Sequence, residues 1–121
     1  MLVVDDDPDI RELLFTALED EGFEVVPAGN GQEALAIIKT FRPDVIVLDL
    51  MMPVMDGFTF IEACHKERLC IDVPIVVISA VQDAPRRISE MPVHAYMAKP
   101  FDLDDLIRVV GQYAHPTNGK A

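Results

Sequence analysis

Asp49 closes the apolar run Val45-Ile46-Val47-Leu48 and opens the loop Leu50-Met51-Met52-Pro53-Val54-Met55-Asp56-Gly57. The chain begins in the same way, with Leu2-Val3-Val4 running into Asp5-Asp6-Asp7. Two strand-like runs that both surface into acid predict a single acidic pocket. Like charges gathered by a fold repel one another unless a cation sits among them. A hard divalent ion such as Mg²⁺ (or Mn²⁺) takes carboxylate oxygens and keeps several waters. Asp6 and Asp49 suit direct ligation, and Asp5 suits ligation through water. A carboxylate at Asp49 can also attack phosphorus and form an acyl phosphate. Two further run ends supply Ser79 and Lys99. A hydroxyl there can donate to a phosphoryl oxygen, and an ammonium can neutralise charge on the transferring group. Taken singly, each residue has an ordinary use: Asp7 is a helix cap, Lys99 a surface lysine, Ser79 a local backbone partner. The set matters because one fold would bring it to one edge.

Bringing these groups together requires strands that end side by side. Five apolar runs qualify: Leu2–Val4, Phe23–Ala28, Asp44–Leu48, Pro74–Ser79 and His94–Ala98. Valine- and isoleucine-rich runs without alternation are the pattern of parallel strands covered on both faces. Amphipathic stretches separate them. The first helix is predicted from Asp7 as cap and Pro8 in its first turn, with Ile10, Leu13, Leu14, Ala17 and Leu18 facing inward and Gly22 at the C′ position. A second begins near Asn30-Gly31, burying Ala34, Leu35 and Ile38. A third follows Asp56-Gly57 and uses Phe58, Ile61 and Leu69. Between Ser79 and His94, Pro85 and Pro92 leave room for about two helical turns, so the fourth helix is short or irregular. The last follows Asp102 with Leu103, Leu106, Ile107 and Val110 inward. This alternation predicts an α/β doubly wound parallel sheet with helices on both faces. In such sheets ligands bind outside the carboxyl ends of the strands. The first, third, fourth and fifth runs end in Asp5-Asp6, Asp49, Ser79 and Lys99, while the second ends in the unreactive Ala28-Gly29.

Composition narrows the possibilities. The 121 residues are 50% hydrophobic and 26% charged, which fits one globular domain. The net charge of −11 argues against direct nucleic acid binding by this domain and favours a cation or a basic partner. No apolar stretch reaches the roughly 20 residues that cross a bilayer, and no signal peptide precedes the first run, so no membrane association is expected. Cys64 and Cys70 make no zinc spacing and read as ordinary unpaired thiols, which implies a cytoplasmic location. The polar stretch 115–121 reads as a linker or disordered tail beyond a domain of residues 1–114.

The segments Val3-Val4-Asp5-Asp6-Asp7, Val47-Leu48-Asp49-Leu50-Met51-Met52-Pro53-Val54-Met55-Asp56-Gly57, Val77-Ile78-Ser79-Ala80 and Lys99-Pro100-Phe101 resemble the receiver domain of two-component response regulators. The likeness covers nearly the whole chain. It implies a flavodoxin-like (βα)₅ fold with strand order 2-1-3-4-5. It also implies that Asp49 accepts a phosphoryl group from a sensor histidine kinase or phosphotransfer protein. Asp5, Asp6, Asp49 and the backbone carbonyl of Met51 would then hold Mg²⁺. Ser79 stands at the switch hydroxyl of that pattern, Lys99 at its lysine and Tyr96 at its switch aromatic. Such a domain is a phosphoacceptor with at most slow self-dephosphorylation, acting on an output domain in a longer chain or on a separate effector. The chain departs from the family pattern in a short Ser79-to-Lys99 interval carrying Pro85 and Pro92. It also has Val93-His94-Ala95 where a small Gly-Ala pair is usual. Met51 and Val81, two residues beyond Asp49 and Ser79, are apolar and would position an attacking water weakly. A cis bond at Lys99-Pro100, uncommon even before proline, would aim Lys99 into the pocket. Two other readings compete with this one. A pseudo-receiver needs a broken acid cluster, and this one is whole. A haloacid-dehalogenase-like phosphatase needs a second acid two residues after the nucleophile, where Met51 stands.

Overall fold

Five parallel strands alternate with five helices: β1 (Leu2–Val4), α1 (Pro8–Asp20), β2 (Val26–Ala28), α2 (Gly31–Ile38), β3 (Ile46–Asp49), α3 (Gly57–Lys66), β4 (Ile75–Ser79), α4 (Ala84–Ile88), β5 (Ala95–Ala98) and α5 (Leu103–Val110). The computed structural model describes residues 1–114, so the tail expected at 115–121 lies outside the described residues. The sheet order is β2-β1-β3-β4-β5. From β1 the chain steps outward to β2 and then returns to the other side at β3. Strand order therefore reverses between β1 and β3, the place where an open parallel sheet forms its ligand crevice. Register completes the alignment. Val4 lies opposite Leu48, so Asp5 and Asp49 leave adjacent strands at the same level. Ser79 lies opposite Ala98, which puts Lys99 one step beyond.

Two apolar layers hold the sheet. On one face, Leu2, Val4, Ile46, Leu48, Ile75 and Val77 pack against α2, α3 and α4. On the other, Val3, Val47, Val76 and Ile78 meet Leu14 and Leu18 of α1 and Leu106 and Val110 of α5. Side chains of each strand go to both faces, and both faces are covered. That is why these strands are apolar throughout rather than alternating.

Helix ends follow the local chemistry. Asp7 accepts from the backbone N–H groups of Asp9 and Ile10, at 2.9 and 3.4 Å. Asn30, Asp56 and Asp102 cap α2, α3 and α5 in the same manner. Gly22 takes φ 96° just past α1, as the predicted C′ glycine should. The fourth helix spans only five residues, with Pro85 in its first turn and no side-chain cap, matching the short element expected between Ser79 and His94.

Four local expectations are corrected. β2 begins at Val26, not Phe23, because the N–H groups of Phe23 and Val25 are taken by the Leu18 carbonyl and the Glu19 carboxylate. Leu13, expected inward, is 52% exposed. In α3 the fully buried stripe is Phe60, Ile61 and Cys64, while Phe58 is only partly buried beneath the Arg87 guanidinium and Leu69 lies past the helix. Cys64 and Cys70, expected as unpaired thiols, are paired as a disulfide with Cα atoms 5.6 Å apart. The reason is the end of α3. Arg68 takes a left-handed φ of 59°, Leu69 N–H bonds the Cys64 carbonyl and Arg68 N–H bonds that of His65. This Schellman reversal folds residue 70 back onto residue 64. Unpaired thiols therefore no longer support an argument about compartment.

Candidate functional site

At the carboxyl edge of the sheet lie Asp5, Asp49 and Ser79, the buried polar or charged residues among those described. Burying carboxylates beside each other is costly unless each is paired. Here each is. Asp5 Oδ1 accepts from Asp7 N–H at 2.9 Å, and Asp49 Oδ1 accepts from Met51 N–H at 3.1 Å. Lys99 Nζ reaches across from the end of β5 to both remaining oxygens, 3.2 Å from Asp5 Oδ2 and 3.1 Å from Asp49 Oδ2. The Lys99–Pro100 bond that follows is cis.

Asp6 completes the cluster. One carboxylate oxygen from each of Asp5, Asp6 and Asp49 lies within 4.8 Å of the others. Asp6 is exposed while its two partners are buried. A buried pair of oxygens with a third at the solvent edge is a donor set suited to a hard divalent cation that retains waters. Among the described residues Lys99 is the cation that balances the pair.

The loop after Asp49 is held close by α3. Gly57 N–H donates to the Leu50 carbonyl at 3.0 Å. A Cβ on Gly57 would lie 2.7 Å from both the Asp49 carbonyl oxygen and the Leu50 Cα. Only a residue without a side chain allows that approach. The loop crest carries Val54 at φ 69°, 76% exposed, an uncommon backbone state for a β-branched residue.

Ser79 is tied on two sides. Its Oγ accepts from Val81 N–H at 2.9 Å, which leaves the hydroxyl proton to be donated elsewhere. Its carbonyl accepts from Lys99 N–H at 2.7 Å, so hydroxyl and ammonium share one backbone junction. Tyr96 lies opposite Val77, half-buried, and packs on the layer that contains α4. Met51 is exposed at the pocket rim, and Val81 is partly buried. Asp5, Asp6, Asp49, Ser79 and Lys99 are therefore brought to one edge, while Tyr96 lies within β5, three residues before Lys99. Asp7, as helix cap, sits just outside that edge.

Electrostatics follow from the burial. Burial pushes the Asp49 carboxyl above its ordinary value, and the Asp5 charge adds to the rise. The Met51 N–H and Lys99 pull the other way without cancelling it. Burial alone would lower Lys99, but Asp49 and Asp5 outweigh it and hold the ammonium above the usual lysine value.

Residues 1–111 match the response regulator receiver domain family. The chain belongs to that family. This receiver domain is 41% identical over 108 residues to the probable transcriptional regulator ycf27 of Porphyridium aerugineum, covering 88% of this chain and 44% of that protein. It is 36% identical over 109 residues to the phosphate regulon transcriptional regulatory protein PhoB of Pseudomonas aeruginosa, covering 88% and 48%. The receiver domain thus spans about half the length of these curated relatives. Among solved structures it is similar to the chemotaxis protein CheY4 of Vibrio cholerae, with 31% identity, TM-score 0.84 and 93% and 96% of the two chains covered. It is also similar to TrrA of Thermotoga maritima, solved in complex with Mg²⁺ and BeF, at 34% identity, TM-score 0.83 and the same coverage.

One contact at the receiver site was not legible in the sequence. Arg11 of α1 donates from Nη1 to the Asp5 carbonyl at 2.8 Å. An arginine on an exposed helix flank reads as solvated. Its position six residues after a strand-terminal acid is the signal that could have marked it.

Proposed function

We propose that this receiver domain is a phosphorylation-operated switch whose acceptor is Asp49. The observation that carries the reading is the Lys99 ammonium held between the Asp5 and Asp49 carboxylates, beside the exposed Asp6. A Mg²⁺ ion held by Asp5, Asp6, Asp49 and the Met51 carbonyl would neutralise the carboxylates and the incoming phosphoryl oxygens. Mn²⁺ would serve in the same donor set. An Asp49 oxygen attacks phosphorus in line as the phosphorus–nitrogen bond of a donor phosphohistidine, protonated on its other ring nitrogen, breaks, leaving an acyl phosphate and a neutral histidine. Lys99 follows the charge onto the new phosphoryl group, and the Ser79 hydroxyl donates to one of its oxygens.

The switch follows from the same contacts. The Ser79 hydroxyl turns to donate its proton to the phosphoryl group while its Oγ keeps the Val81 N–H bond, and this draws the start of the α4 segment with it. Tyr96, half-buried beside that segment, turns inward to fill the space. The surface of α4, β5 and α5 is then altered, as phospho-switches generally act through a two-state element. The domain contributes no further catalysis beyond slow self-dephosphorylation. We infer a sensor histidine kinase or phosphotransfer protein as donor, in the cytoplasm where such donors are recharged. The first relatives are transcriptional regulators about twice as long, which supports control of an output domain or a separate effector. The net charge of −11 fits a domain that leaves nucleic acid contact to that partner.

The reading is tested by exposing the domain to a small phosphodonor such as acetyl phosphate and weighing it intact. Gain of one phosphoryl group, about 80 Da, is expected only with Mg²⁺ present and only with Asp49 intact. No gain with any donor, while Mg²⁺ still binds, would leave a pseudo-receiver in which Asp49 is a metal ligand alone.

A further inference from the structure

Asp6 is the exposed member of the acid cluster, and among the described residues no hydrogen-bond donor holds its carboxylate. Its aim therefore depends on the backbone that precedes it. The peptide joining Asp5 to Asp6 carries the Asp5 carbonyl at one end and the Asp6 N–H at the other. Asp5 N–H makes the final bond between β1 and β2, to the Ala28 carbonyl at 3.1 Å. Past that point β2 turns away through Gly29 to the cap of α2 at Asn30. The Asp5 carbonyl is left on a fully buried residue without a strand partner, and a buried carbonyl in that position needs a donor. Arg11 supplies it at 2.8 Å.

The path of Arg11 is shaped for this task. Its Nη1 would lie 3.3 Å from a Cβ built on Gly29, so the guanidinium occupies the space a side chain there would fill. It reaches the carbonyl over the bare backbone of residue 29.

Resting on the reading of Asp5, Asp6 and Asp49 as a Mg²⁺ site, we propose that Arg11 is a positioning residue for that site: by fixing the Asp5–Asp6 peptide plane it aims the Asp6 carboxylate at the cation. Partners one step outside a metal's ligands commonly govern affinity in this manner. The effect has a diagnostic sign. An arginine acting only through its charge repels Mg²⁺, so removing it would tighten binding. An arginine that positions a ligand does the reverse.

The test is calorimetric titration of Mg²⁺ into the wild type, Arg11→Met, Arg11→Lys and Gly29→Ala, with thermal unfolding of each in EDTA. Arg11→Met is expected to weaken Mg²⁺ binding about 10-fold. Arg11→Lys, which can still donate to the carbonyl, recovers part of that loss. Gly29→Ala, whose methyl crowds the guanidinium, weakens binding in the same direction by less, and it reports even if Arg11→Met does not fold. Mg²⁺ affinities unchanged or tighter in the folded variants, whatever their unfolding temperatures, would overturn the proposal while leaving the metal site standing. A wild type that binds no Mg²⁺ would instead overturn the site reading beneath it.

Discussion

Lys99 Nζ sits 3.1 Å from Asp49 Oδ2, on a carboxylate that belongs to the acid cluster of Asp5, Asp6 and Asp49. The same ammonium neutralises Asp5 at 3.2 Å. Lys99 is thus an internal counter-ion to both carboxylates, and under the proposed function it would compete with a divalent cation in the resting domain before serving the phosphoryl group.

Removing that competitor separates the two roles. Lys99→Ala should bind Mg²⁺ several-fold more tightly than the wild type, because the local positive charge is gone. Phosphorylation by a small donor should nevertheless slow by about 100-fold, the usual scale for losing one charge-stabilising donor. Calorimetry and an intact-mass time course measure the two quantities. Weaker Mg²⁺ binding in the variant would mean that Lys99 organises the carboxylates rather than competing for them.

Asp49 makes a signed prediction about pH. Its carboxyl is raised above 3.8 chiefly by burial, with Asp5 adding to the rise. A group raised on folding stabilises the folded chain below its unfolded value and loses that contribution as pH climbs through the folded value. Asp49→Asn has no such group. The unfolding temperature of Asp49→Asn relative to wild type should therefore rise as pH increases from below 3.8 and then level off once Asp49 is ionised. At neutral pH, Mg²⁺ should raise the wild type more than the variant. A difference that is flat across this range, or that shrinks with pH, would contradict the electrostatic reading.

Gly57 is a packing requirement of the same loop. A methyl there meets backbone atoms of residues 49 and 50 at 2.7 Å, and backbone cannot rotate away as a side chain can. Gly57→Ala should cost about 1–3 kcal/mol, the range for forced overpacking, each kcal/mol being worth several degrees in a domain of this size. Thermal unfolding measures it directly. An unchanged Tm would show that the loop has room the geometry denies.

Under the proposed function, water access would set the lifetime of the acyl phosphate. Met51, 59% exposed at the rim, and Val81 offer no side-chain hydrogen bond to an attacking water. After donor removal the phosphorylated domain should persist for minutes or longer, and Met51→Asn, whose amide can hold a water, should shorten that time. Decay followed by intact mass settles the point. A half-life of seconds in the wild type would count against apolar protection.

Much of this was written in the chain because parallel strands covered on both faces must be apolar throughout. Val45-Ile46-Val47-Leu48 could hardly be anything else, and the acid that ends such a run has to surface at the ligand edge. The cap at Asp7, and Asn30, Asp56 and Asp102 as the starts of the later helices, were legible for a related reason, since such side chains bond only to nearby backbone. What the sequence hid depended on contacts between distant segments. The inward side of α3 could not be chosen between Phe58 and Phe60 until α4 placed Arg87 over the former. The Cys64–Cys70 pairing depended on Arg68 adopting a conformation more usual for glycine. Arg11 drew no reading from the sequence because nothing local shows that the Asp5 carbonyl loses its strand partner where β2 turns away.

The decisive measurement is the location of the phosphoryl group. After reaction with acetyl phosphate and Mg²⁺, borohydride reduction converts an aspartyl phosphate to homoserine, which peptide mass spectrometry can place. Homoserine at position 49 alone, absent without Mg²⁺, is the expected result. Homoserine at Asp5 or Asp6, or a phosphoryl group that resists reduction because it sits on a serine, would contradict Asp49 as the acceptor.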